Sequence, residues 1–549
     1  MIETTADKIS VAFVVAVFAF VGSSVVTGSI NIFHLHHHVY RTHQLNTVAA
    51  LLTFLLTVAV AIGKNTHPSL LSYCGGGTKL LSSRISLKSQ QTIVLHVIFY
   101  LLGHAIAVMY KLLVLSYKAY KYRQLTKVGL NKCVGKPKRI LIIHASVGSG
   151  HKRAAQAIEQ AIRARVIEEG GAVVSDNVKG DAQGDRRDKV VVKVLDIIDT
   201  QEWFLRTVYK KGFMTLVGKD WGQAFIGLMF DKSNQQAPGL QAGQHGFFQT
   251  VLEEAFSLSF VEYLFNFKPD IIVNTHFLGL KIISHLRQKL PAFNVPQVTA
   301  VTDFDVHAYW ACQPCEQFFV ARDECRHALQ EMGVSNDLIQ ITGMPIVEAF
   351  ANVRPKKACL GDLGLTGKLP IILLMVGGED IFETYDALLQ MQTSVEIALV
   401  CGRHEDLRGR LSAVSVPKRH RVVIEGFTRV MHEYLACADL IITKPGGLTT
   451  AESLAMGTAI VVYHSLPGQE LRNADMILEE GAGIKVNDSR MLGYKIEKLL
   501  KDKKRLRGMQ KNALRIGSTG SAAKIASYIF NGDYYETYMS PNGSKQKKL

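Results

Sequence analysis

A histidine stands where an apolar run gives way to a glycine turn and then to a helix. The segment RILIIHASVGSGHKRAAQAIEQAI, residues 139–162, holds His151 directly after Gly150. An apolar run ended by a turn is typical of a buried parallel strand, and the residues that follow have a helical period. Ligands bind at such turns, beside the N-terminus of the helix. His151 could act as a base on a bound ligand or could merely cap the helix, and this stretch alone does not decide.

A second group of residues suits a nucleotide joined to a sugar. In TKPGGLTTAESLAMG, residues 443–457, two glycines precede a helix whose free N–H groups can bind phosphate. Glu452, early in that helix, suits the two hydroxyls of a ribose. Gln469, Glu470 and Asn473 of PGQELRNA suit the hydroxyls of a sugar. We interpret the group as a nucleotide-sugar site; the alternative is an ordinary loop between a strand and a helix.

Other motifs for phosphate or metal binding are incomplete. The first turn lacks the Lys-Ser/Thr of a Walker loop and the third glycine of a dinucleotide fingerprint. Cys312 and Cys315, with Cys325 and His307, could bind zinc, but one CxxC without a second pair is a weak signal. The histidine-rich run at 34–43 follows an apolar segment, which favours an interfacial loop over a metal cluster.

The charge of the chain favours an anionic partner. The 549 residues carry a net charge of +16, and the sequence pI is about 9.3. Such a charge suits nucleic acid, anionic lipid or a phosphorylated substrate. No nucleic-acid-binding module is recognisable, so nucleic acid is not expected as a partner. The eight cysteines are scattered, which favours reduced thiols over a disulfide framework.

The N-terminal region predicts attachment to a membrane. Residues 11–33 are uncharged and long enough to span a bilayer, and residues 47–63 and 92–110 are two further apolar runs. We expect at least one true span and leave the number, one to three, open. The basic segment 118–139 follows, and the positive-inside rule places the rest of the chain on the cytoplasm-like face of a bacterial inner membrane or an organelle membrane. Anionic lipid would attract the same segment.

From Arg139 onward, strands and helices alternate, which predicts an α/β fold of two doubly wound domains. In the first half, strands are predicted at 140–143, 189–198, 270–274, 297–301 and 318–320. The predicted organisation is a membrane-anchoring segment at 1–117, a basic linker at 118–138, one Rossmann-like domain at 139–350, a second at 351–539 and a disordered basic tail at 540–549.

Short motifs across both predicted domains resemble one family. They are SVGSGH, PDIIVNTH, TDFDVHAYW, ITGMPI, GGED, CGR, EGF, TKPGG with AES, and PGQE with NA, between about residues 139 and 483. In this combination the chain resembles the diacylglycerol glycosyltransferases of family 28, which include monogalactosyldiacylglycerol synthases and processive diacylglycerol glucosyltransferases. The resemblance implies a GT-B fold, with two Rossmann-like domains facing across a cleft. The first would bind the lipid acceptor and the second the UDP-sugar.

The resemblance also implies a reaction. Galactose or glucose would pass from UDP to the sn-3 hydroxyl of 1,2-diacylglycerol with inversion, giving a β-glycoside. His151 is implied as the general base, and a histidine titrating near neutral pH needs no large pKa shift for this. The helix that starts near Leu448 would stabilise the UDP leaving group. No metal or other cofactor is implied, and the partners are UDP-hexose, diacylglycerol and anionic membrane lipids.

The motif positions imply further site residues. Those implied for the UDP-sugar are Gly377, Gly378, Glu379, Gly402, Arg403, Phe427, Lys444, Pro445, Gly446, Gly447, Thr449, Glu452, Gln469, Glu470 and Asn473. Those implied for the acceptor are Gly148, Gly150, His276, Asp303, His307 and Trp310. Asp303 and Asp305 form a DFD that resembles a metal-binding DxD, but it lies in the acceptor domain, so no donor metal is expected there.

The chain departs from these relatives at several points. Ser149 stands where many plant relatives have a third glycine, and the Lys-Pro-Gly-Gly loop resembles bacterial glucosyl enzymes more than plant galactosyl ones. Residues 202–213 are either an acceptor- or membrane-contacting segment or an ordinary amphipathic helix. The sugar and the exact lipid stay open. The alternatives are a transferase acting on a polyprenyl-linked or other lipid acceptor, and a non-catalytic membrane scaffold of the same fold.

Overall fold

The computed structural model of the chain describes residues 116–117, 120, 124, 137–146, 150–174, 189–200, 258–289, 293–375 and 380–534. Two parallel sheets make up its framework, and both belong to one compact unit formed by residues 120–244 and 256–549. The sheets are described here as the first and the second domain.

The first domain is built on a seven-stranded parallel sheet with the order β2-β3-β1-β4-β5-β6-β7. The connection that leaves β1 runs to β2 on one side of it, whereas the connection that leaves β4 runs to β5 on the other side. The β1–β4 pair is therefore the topological switch point, where α/β sheets bind ligands. The strands are β1 Arg139–His144, β2 Ala172–Val174, β3 Lys189–Asp196, β4 Ile271–Asn274, β5 Gln297–Ala300, β6 Gln317–Val320 and β7 Ile339–Ile341, and the helices are α1 Gly150–Glu168, α2 Phe277–Lys289 and α3 Asp323–Glu331.

The second domain has a six-stranded parallel sheet with the order β10-β9-β8-β11-β12-β13, and its switch point is the β8–β11 pair. Its strands are β8 Ile371–Met375, β9 Glu396–Val400, β10 Arg421–Glu425, β11 Leu440–Thr443, β12 Ala459–Tyr463 and β13 Gly483–Val486. The helices are α4 Lys356–Asp362, α5 Asp380–Leu389, α6 Glu405–Ser412, α7 Met431–Cys437, α8 Gly447–Ala455, α9 Gln469–Glu479, α10 Ser489–Lys501, α11 Lys503–Ile516 and α12 Ser521–Asn531.

Burial on both faces explains why β1 is apolar throughout. Ile140 and Ile142 pack into the cluster that covers one face of the sheet, whereas Leu141 and Ile143 pack into the cluster on the other face. All four side chains are fully buried. Successive side chains of a strand point to opposite faces, so a strand covered on both sides must be continuously apolar. The strand predicted at 140–143 is confirmed, as are those at 189–198, 270–274, 297–301 and 318–320.

The C-terminal helix α12 returns to the first domain. Ile525, Ala526, Ile529 and Phe530 of α12 share an apolar cluster with β1 and α1. The predicted boundaries placed this helix in the second domain, 351–539, so the structure differs from the prediction here. The amphipathic pattern of α12 shows that one of its faces is buried, but it does not show which sheet that face covers.

The predicted membrane-spanning segments lie outside the part of the chain that the structure describes. The apolar runs at 11–33, 47–63 and 92–110 lie outside the described residues, as do residues 202–213 and the tail at 540–549. Within the described ranges, no helix combines the length and the apolar character that crossing a bilayer requires. The structure therefore gives the predicted spans no support, and they stay a prediction.

The packing of α12 predicts that Ile529→Ala weakens the first domain. Truncating a buried isoleucine costs about 2–5 kcal/mol, because apolar burial is lost and a cavity remains. Amide hydrogen exchange should become faster in β1 and α1 and stay unchanged in β9. The control is Lys524→Ala, since Lys524 is an exposed residue of the same helix. Faster exchange in the second sheet instead would contradict the assignment of α12 to the first domain.

Candidate active site

His151 is held by the backbone at the switch point of the first sheet. Its Nδ1 lies 3.0 Å from the backbone oxygen of Thr275 and 2.8 Å from Oγ1 of Thr302. A carbonyl oxygen can only accept, so Nδ1 carries the proton and Nε2 keeps its lone pair. The ring can therefore take up a proton at Nε2 and at no other atom.

Thr275 fixes the loop that carries this carbonyl. It directly follows β4, and its N–H donates to the backbone oxygen of Ile143 in β1 at 2.9 Å. Its hydroxyl lies 3.1 Å from that same oxygen and 3.0 Å from the backbone oxygen of His151, and donates to them. The ends of β1 and β4 and the start of α1 are thus tied together around the imidazole.

Burial shifts the pKa of His151 away from its usual value. Desolvation lowers this pKa to about 4, the Thr275 hydrogen bond opposes the shift, and the nearby His144 adds to it. The structure therefore does not agree with the expectation that His151 titrates near neutral pH. The imidazole is neutral at pH 7 and its Nε2 is available as an acceptor.

Two more histidines surround His151. The ring of His276 meets the ring of His151 edge-on, with 4.6 Å between centroids, and its Nδ1 accepts from the N–H of Leu278 at 3.1 Å. Burial, followed by the neighbouring histidines, keeps the pKa of His276 well below its usual value. Burial also lowers the pKa of His144, the last residue of β1. The three imidazoles make a neutral surface at neutral pH.

A buried carboxyl group lies after β5, close to the same edge. Trp310 Nε1 donates to Asp303 Oδ2 at 2.7 Å, while Asp303 Oδ1 is buried and has no partner. Burial raises the pKa of Asp303 to about 7, despite the hydrogen bond from Trp310. Trp310 is itself fully buried, so it supports Asp303 rather than contacting a ligand. His307 caps the 3₁₀ helix Ala308–Ala311 by accepting from the N–H of Tyr309.

The donor loop lies at the switch point of the second sheet. Lys444, Pro445 and Gly446 connect β11 to α8, and the half-buried Thr449 lies in the first turn of that helix. Asn473 donates from Nδ2 to the backbone oxygen of Pro445 at 3.0 Å, and its buried Oδ1 has no partner. A buried acceptor without a partner is costly, which suits a place where a ligand supplies the donor.

The start of α9 forms the other side of this loop. Gln469 and Glu470 are the first two residues of α9, directly after Gly468. Glu470 accepts from the N–H of Leu466 at 2.9 Å, and burial raises the pKa of its carboxyl. Asn473 thus contacts the loop after β11 and Glu470 lies near its Lys444, whereas the binding of sugar hydroxyls by Gln469, Glu470 and Asn473 stays a prediction.

An exposed aromatic ring follows β10. Phe427 is 56% exposed, and the guanidinium of Arg403 lies 5.1 Å from its ring centroid. Gly402, just before Arg403, has a φ of +65°, a conformation that favours glycine. Large exposed aromatic side chains at the carboxyl end of a sheet can stack on a planar ligand.

The two domains contact each other at the first turn of α8. A Cβ atom on Gly447 would lie 2.5 Å from the backbone oxygen of Thr302, so no side chain fits there. Leu448 and Ala451 share an apolar cluster with Ala154 and Met344 of the first domain. The sequence analysis named Gly447 among the residues implied for the UDP-sugar, and the structure shows a separate reason for the missing side chain, the close approach of the first domain.

Ion pairs bridge the same boundary. Arg153 in α1 donates to Glu452 Oε1 in α8, and Arg472 in α9 donates to Asp305 at 2.5 Å. Glu452 is 2% exposed, and its Oε2 has no partner. Burial raises the pKa of Glu452, and Arg153 opposes that shift. Glu452 therefore faces a cation of the first domain where the sequence predicted ribose hydroxyls, and one carboxylate oxygen remains for a ligand.

Some predicted residues cannot be placed, and some placed residues were not predicted. Gly148, Gly377, Gly378 and Glu379 lie outside the described residues. Thr275, Thr302, Arg153 and Arg472 were missed. Thr275 directly follows a predicted strand, so the rule that ligands bind at strand ends could have found it. The two arginines carry no comparable signal.

The residues that the structure describes give no support for a metal site. Across the described ranges, no three His, Cys, Asp or Glu residues group as a metal ion would require. Burial raises the pKa of Cys312 to about 11 and that of Cys315 to about 12, which disfavours the thiolates that zinc binds. The absence of a metal requirement stays a prediction.

Comparisons with known proteins agree with this geometry. Residues 151–346 match the family model for monogalactosyldiacylglycerol (MGDG) synthase, and residues 377–527 match the model for the glycosyltransferase family 28 C-terminal domain. The chain is a relative of the family 28 diacylglycerol glycosyltransferases. The resemblance expected from the sequence motifs is thereby confirmed.

Two of the relatives that are similar to this chain come from bacteria. A processive diacylglycerol beta-glucosyltransferase of Bacillus subtilis (strain 168) is 29% identical over 269 residues, covering 48% of this chain and 69% of the relative. A protein of the same name from Bacillus pumilus is 25% identical over 382 residues, covering 68% and 90%. The crystal structure of MurG from Acinetobacter baumannii has a TM-score of 0.43 and 15% identity, covering 72% of this chain and 99% of that one. This TM-score is too low to support an argument, so the fold is described from the two parallel sheets of the chain itself.

The lowered pKa of His151 predicts an acid-sensitive contribution to stability. The pKa of His151 in the folded protein, about 4, lies below the usual histidine value of 6.5, so the unfolded chain binds the extra proton first. The contribution is complete above pH 6.5 and is lost as the pH falls towards 4. Between pH 7.5 and pH 5, the free energy of unfolding measured with urea should therefore fall by about 1–2 kcal/mol more for the wild type than for His151→Gln. The control is the exposed His327→Gln, whose pH response should match the wild type.

The ion pair between the domains predicts energetic coupling between Arg153 and Glu452. Arg153→Ala leaves a buried carboxylate without its cation, and Glu452→Gln removes the charge that needs one. In a double-mutant cycle measured by urea unfolding, we expect a coupling energy of about 1 kcal/mol or more. Additive effects, within about 0.5 kcal/mol, would show that the two side chains do not interact in solution.

Proposed function

We propose that this protein is a membrane-bound inverting glycosyltransferase that moves a hexose from a UDP-sugar to the sn-3 hydroxyl of 1,2-diacylglycerol. The observation that carries the proposal is the geometry of His151, whose Nδ1–H is held by the Thr275 carbonyl while Nε2 stays free. A base so held can remove a proton from a hydroxyl group beside it. The names of the family models and of the relatives support a transferred hexose and a diacylglycerol acceptor, and the resemblance of the sequence motifs supports UDP as the carrier of the hexose.

The proposed step is a single displacement. Nε2 of His151 takes the proton of the acceptor hydroxyl while its oxygen forms a bond to the anomeric carbon. The bond between that carbon and the β-phosphate oxygen breaks, and its electron pair leaves with UDP. Attack opposite to the leaving group inverts an α-linked donor to a β-glycoside. A neutral imidazole is the required form, and burial keeps His151 in that form at neutral pH.

The second domain would hold the donor around the loop after β11. The N-terminus of α8, opened by Gly446 and Gly447, supplies N–H groups and a positive dipole end for the diphosphate. Glu452 Oε2 and Asn473 Oδ1 are buried acceptors without partners, and sugar hydroxyls could donate to them. The exposed ring of Phe427 would stack on the uracil. A ribose that binds Glu452 would share this carboxylate with Arg153.

Glucose is the donor sugar that the comparisons favour. The two bacterial relatives described above are named for glucosyl transfer, and the Lys-Pro-Gly-Gly loop resembles that of bacterial glucosyl enzymes. The family model for the first domain is named for a galactolipid synthase, so UDP-galactose remains the second donor to test. We further propose that no metal takes part and that the catalytic domains lie on the cytoplasm-like face of the membrane.

The proposal is tested by an assay in mixed micelles. Purified full-length protein receives diacylglycerol with UDP-glucose or UDP-galactose, with and without a metal chelator, and the glycolipids are identified by mass spectrometry. We expect a β-hexosyldiacylglycerol, and His151→Gln should lower its rate by about 10²- to 10⁴-fold, the usual contribution of a general base. The control is Lys152→Gln, which changes the exposed neighbour and should leave the rate unchanged.

Each other outcome has a defined meaning. Product with a polyprenyl-linked acceptor but none with diacylglycerol would move the activity to another lipid. UDP binding without transfer to any lipid acceptor would favour the scaffold. Equal rates for His151→Gln and the wild type would overturn the assigned base even if the glycolipid forms.

A further inference from the structure

The second domain carries a basic face that the catalytic scheme does not use. It consists of six exposed cationic residues on α10 and α11, namely Lys498, Lys501, Lys503, Lys504, Arg507 and Lys511. Both helices bury their inner sides in one apolar cluster, through Ile496 and Leu499 of α10 and Leu506 and Met509 of α11. The basic face therefore lies on the outside of that layer.

The spacing of these residues concentrates the charge. Lys503, Arg507 and Lys511 stand at i, i+4 and i+8, so they lie along one side of α11. Lys498 and Lys501 continue the charge to the end of α10. Cations brought this close repel one another, which costs free energy unless an anionic partner is near.

Acidic groups near the basic face are used elsewhere. Glu497, in α10, accepts hydrogen bonds from the N–H groups of Gln392 and Thr393. These bonds and the charge of Lys501 lower the pKa of Glu497, but Glu497 and Lys501 form no salt bridge. Asp502, between the helices, caps α11 by accepting from the N–H of Arg505. In the described part of the chain, none of the six cationic residues forms an ion pair with a carboxylate.

Exposed apolar side chains lie among these cations. Tyr494 is 60% exposed and stands four residues before Lys498, and Met491 precedes it at 44% exposure. On α11, Leu514 is 57% exposed and stands three residues after Lys511. Basic residues interleaved with exposed tyrosine and aliphatic side chains are typical of surfaces that lie on a bilayer. Nucleic-acid sites instead combine cations with a groove or a stacking platform, which neither helix forms.

We propose that the basic face docks the second domain onto an anionic bilayer surface. The proposal rests on the proposed function in one respect, since the acceptor is a lipid that lies in that bilayer. It goes beyond that function, because the face lies in the UDP-sugar domain and is separate from the predicted N-terminal anchor. Docking would limit the motion of the second domain relative to the membrane that supplies the acceptor.

Lysine footprinting tests the proposal without turnover. Full-length protein is placed in nanodiscs of phosphatidylcholine alone or mixed with an equal amount of phosphatidylglycerol, acetylated briefly, and read by mass spectrometry at each lysine. We expect the five lysines of the basic face to react about fivefold less in the anionic discs, in line with the attraction of one basic residue to such a surface. High salt should restore their reactivity. The exposed Lys356, Lys357 and Lys418 serve as internal controls and should not change.

A pair of charge-matched variants sharpens the test. Lys503→Glu, Arg507→Glu and Lys511→Glu together should remove the protection of Lys498, Lys501 and Lys504. Lys356→Glu, Lys357→Glu and Lys418→Glu together make the same change in net charge and should leave that protection intact. Thermal melting and UDP binding confirm that both variants are folded, and the footprint of the wild type decides the question if either is not.

Every outcome of the footprint bears on the proposal. Equal reactivity in both kinds of disc, or equal protection in both, would overturn it, because the anionic lipid would then make no difference. Protection by an added oligonucleotide but not by phosphatidylglycerol would overturn it in favour of nucleic acid. The footprint needs no UDP-sugar, so it can succeed in a protein that transfers no sugar, and its failure leaves the micelle assay unaffected.

Discussion

The hydrogen bond between Nδ1 of His151 and the backbone oxygen of Thr275 determines what this site can do. It fixes the tautomer, and it exists because β1 and β4 are neighbours in the sheet, with Ile143 opposite Asn274. The next residue after Asn274 therefore lies beside the turn that carries His151. The connections that leave β1 and β4 run to opposite sides, which opens a crevice at the carboxyl ends of these two strands. The topology of the sheet therefore creates the site.

Burial at the same edge of the sheet explains why the imidazole of His151 is uncharged and partly shielded from water. His144, His276 and Asp303 lie near His151, and desolvation is the largest influence on the pKa of all four groups. Burial lowers the pKa of an imidazole and raises that of a carboxyl, so both kinds of group move towards their uncharged forms. The region proposed to bind the lipid acceptor thus carries little charge, whereas the charged groups Arg153, Glu452 and Arg472 lie at the boundary with the second domain.

The sequence was informative where one local pattern determines the structure, and uninformative where distant segments meet. The run before His151 predicted β1, and glycines before an amphipathic stretch predicted the loop before α8. The pKa of His151 could not be predicted, because it depends on burial by segments more than a hundred residues away, as does its bond to Thr275. The partner of Glu452 is likewise about three hundred residues distant in the chain, on α1. The sheet that α12 covers is decided by the same kind of long-range packing.

In the proposed function, the contact between the domains couples donor binding to the relative position of the two domains. Glu452 cannot give both oxygens to a ribose while Arg153 holds one of them, and removing Arg153 would leave a buried carboxylate short of a cation. A ribose that binds Glu452 would therefore compete with the ion pair between Arg153 and Glu452, or would rearrange it. That ion pair joins α8 to α1, the helix that carries His151. Gly447 sets the limit of the distance between α8 and the first domain, since a Cβ atom there would lie 2.5 Å from the backbone oxygen of Thr302 and would push the helix away. In the proposed function, α8 holds the diphosphate of the donor and α1 carries the base. A change of a few tenths of an ångström at this boundary would therefore alter the alignment of the reacting atoms, and the rate of a single displacement depends on that alignment.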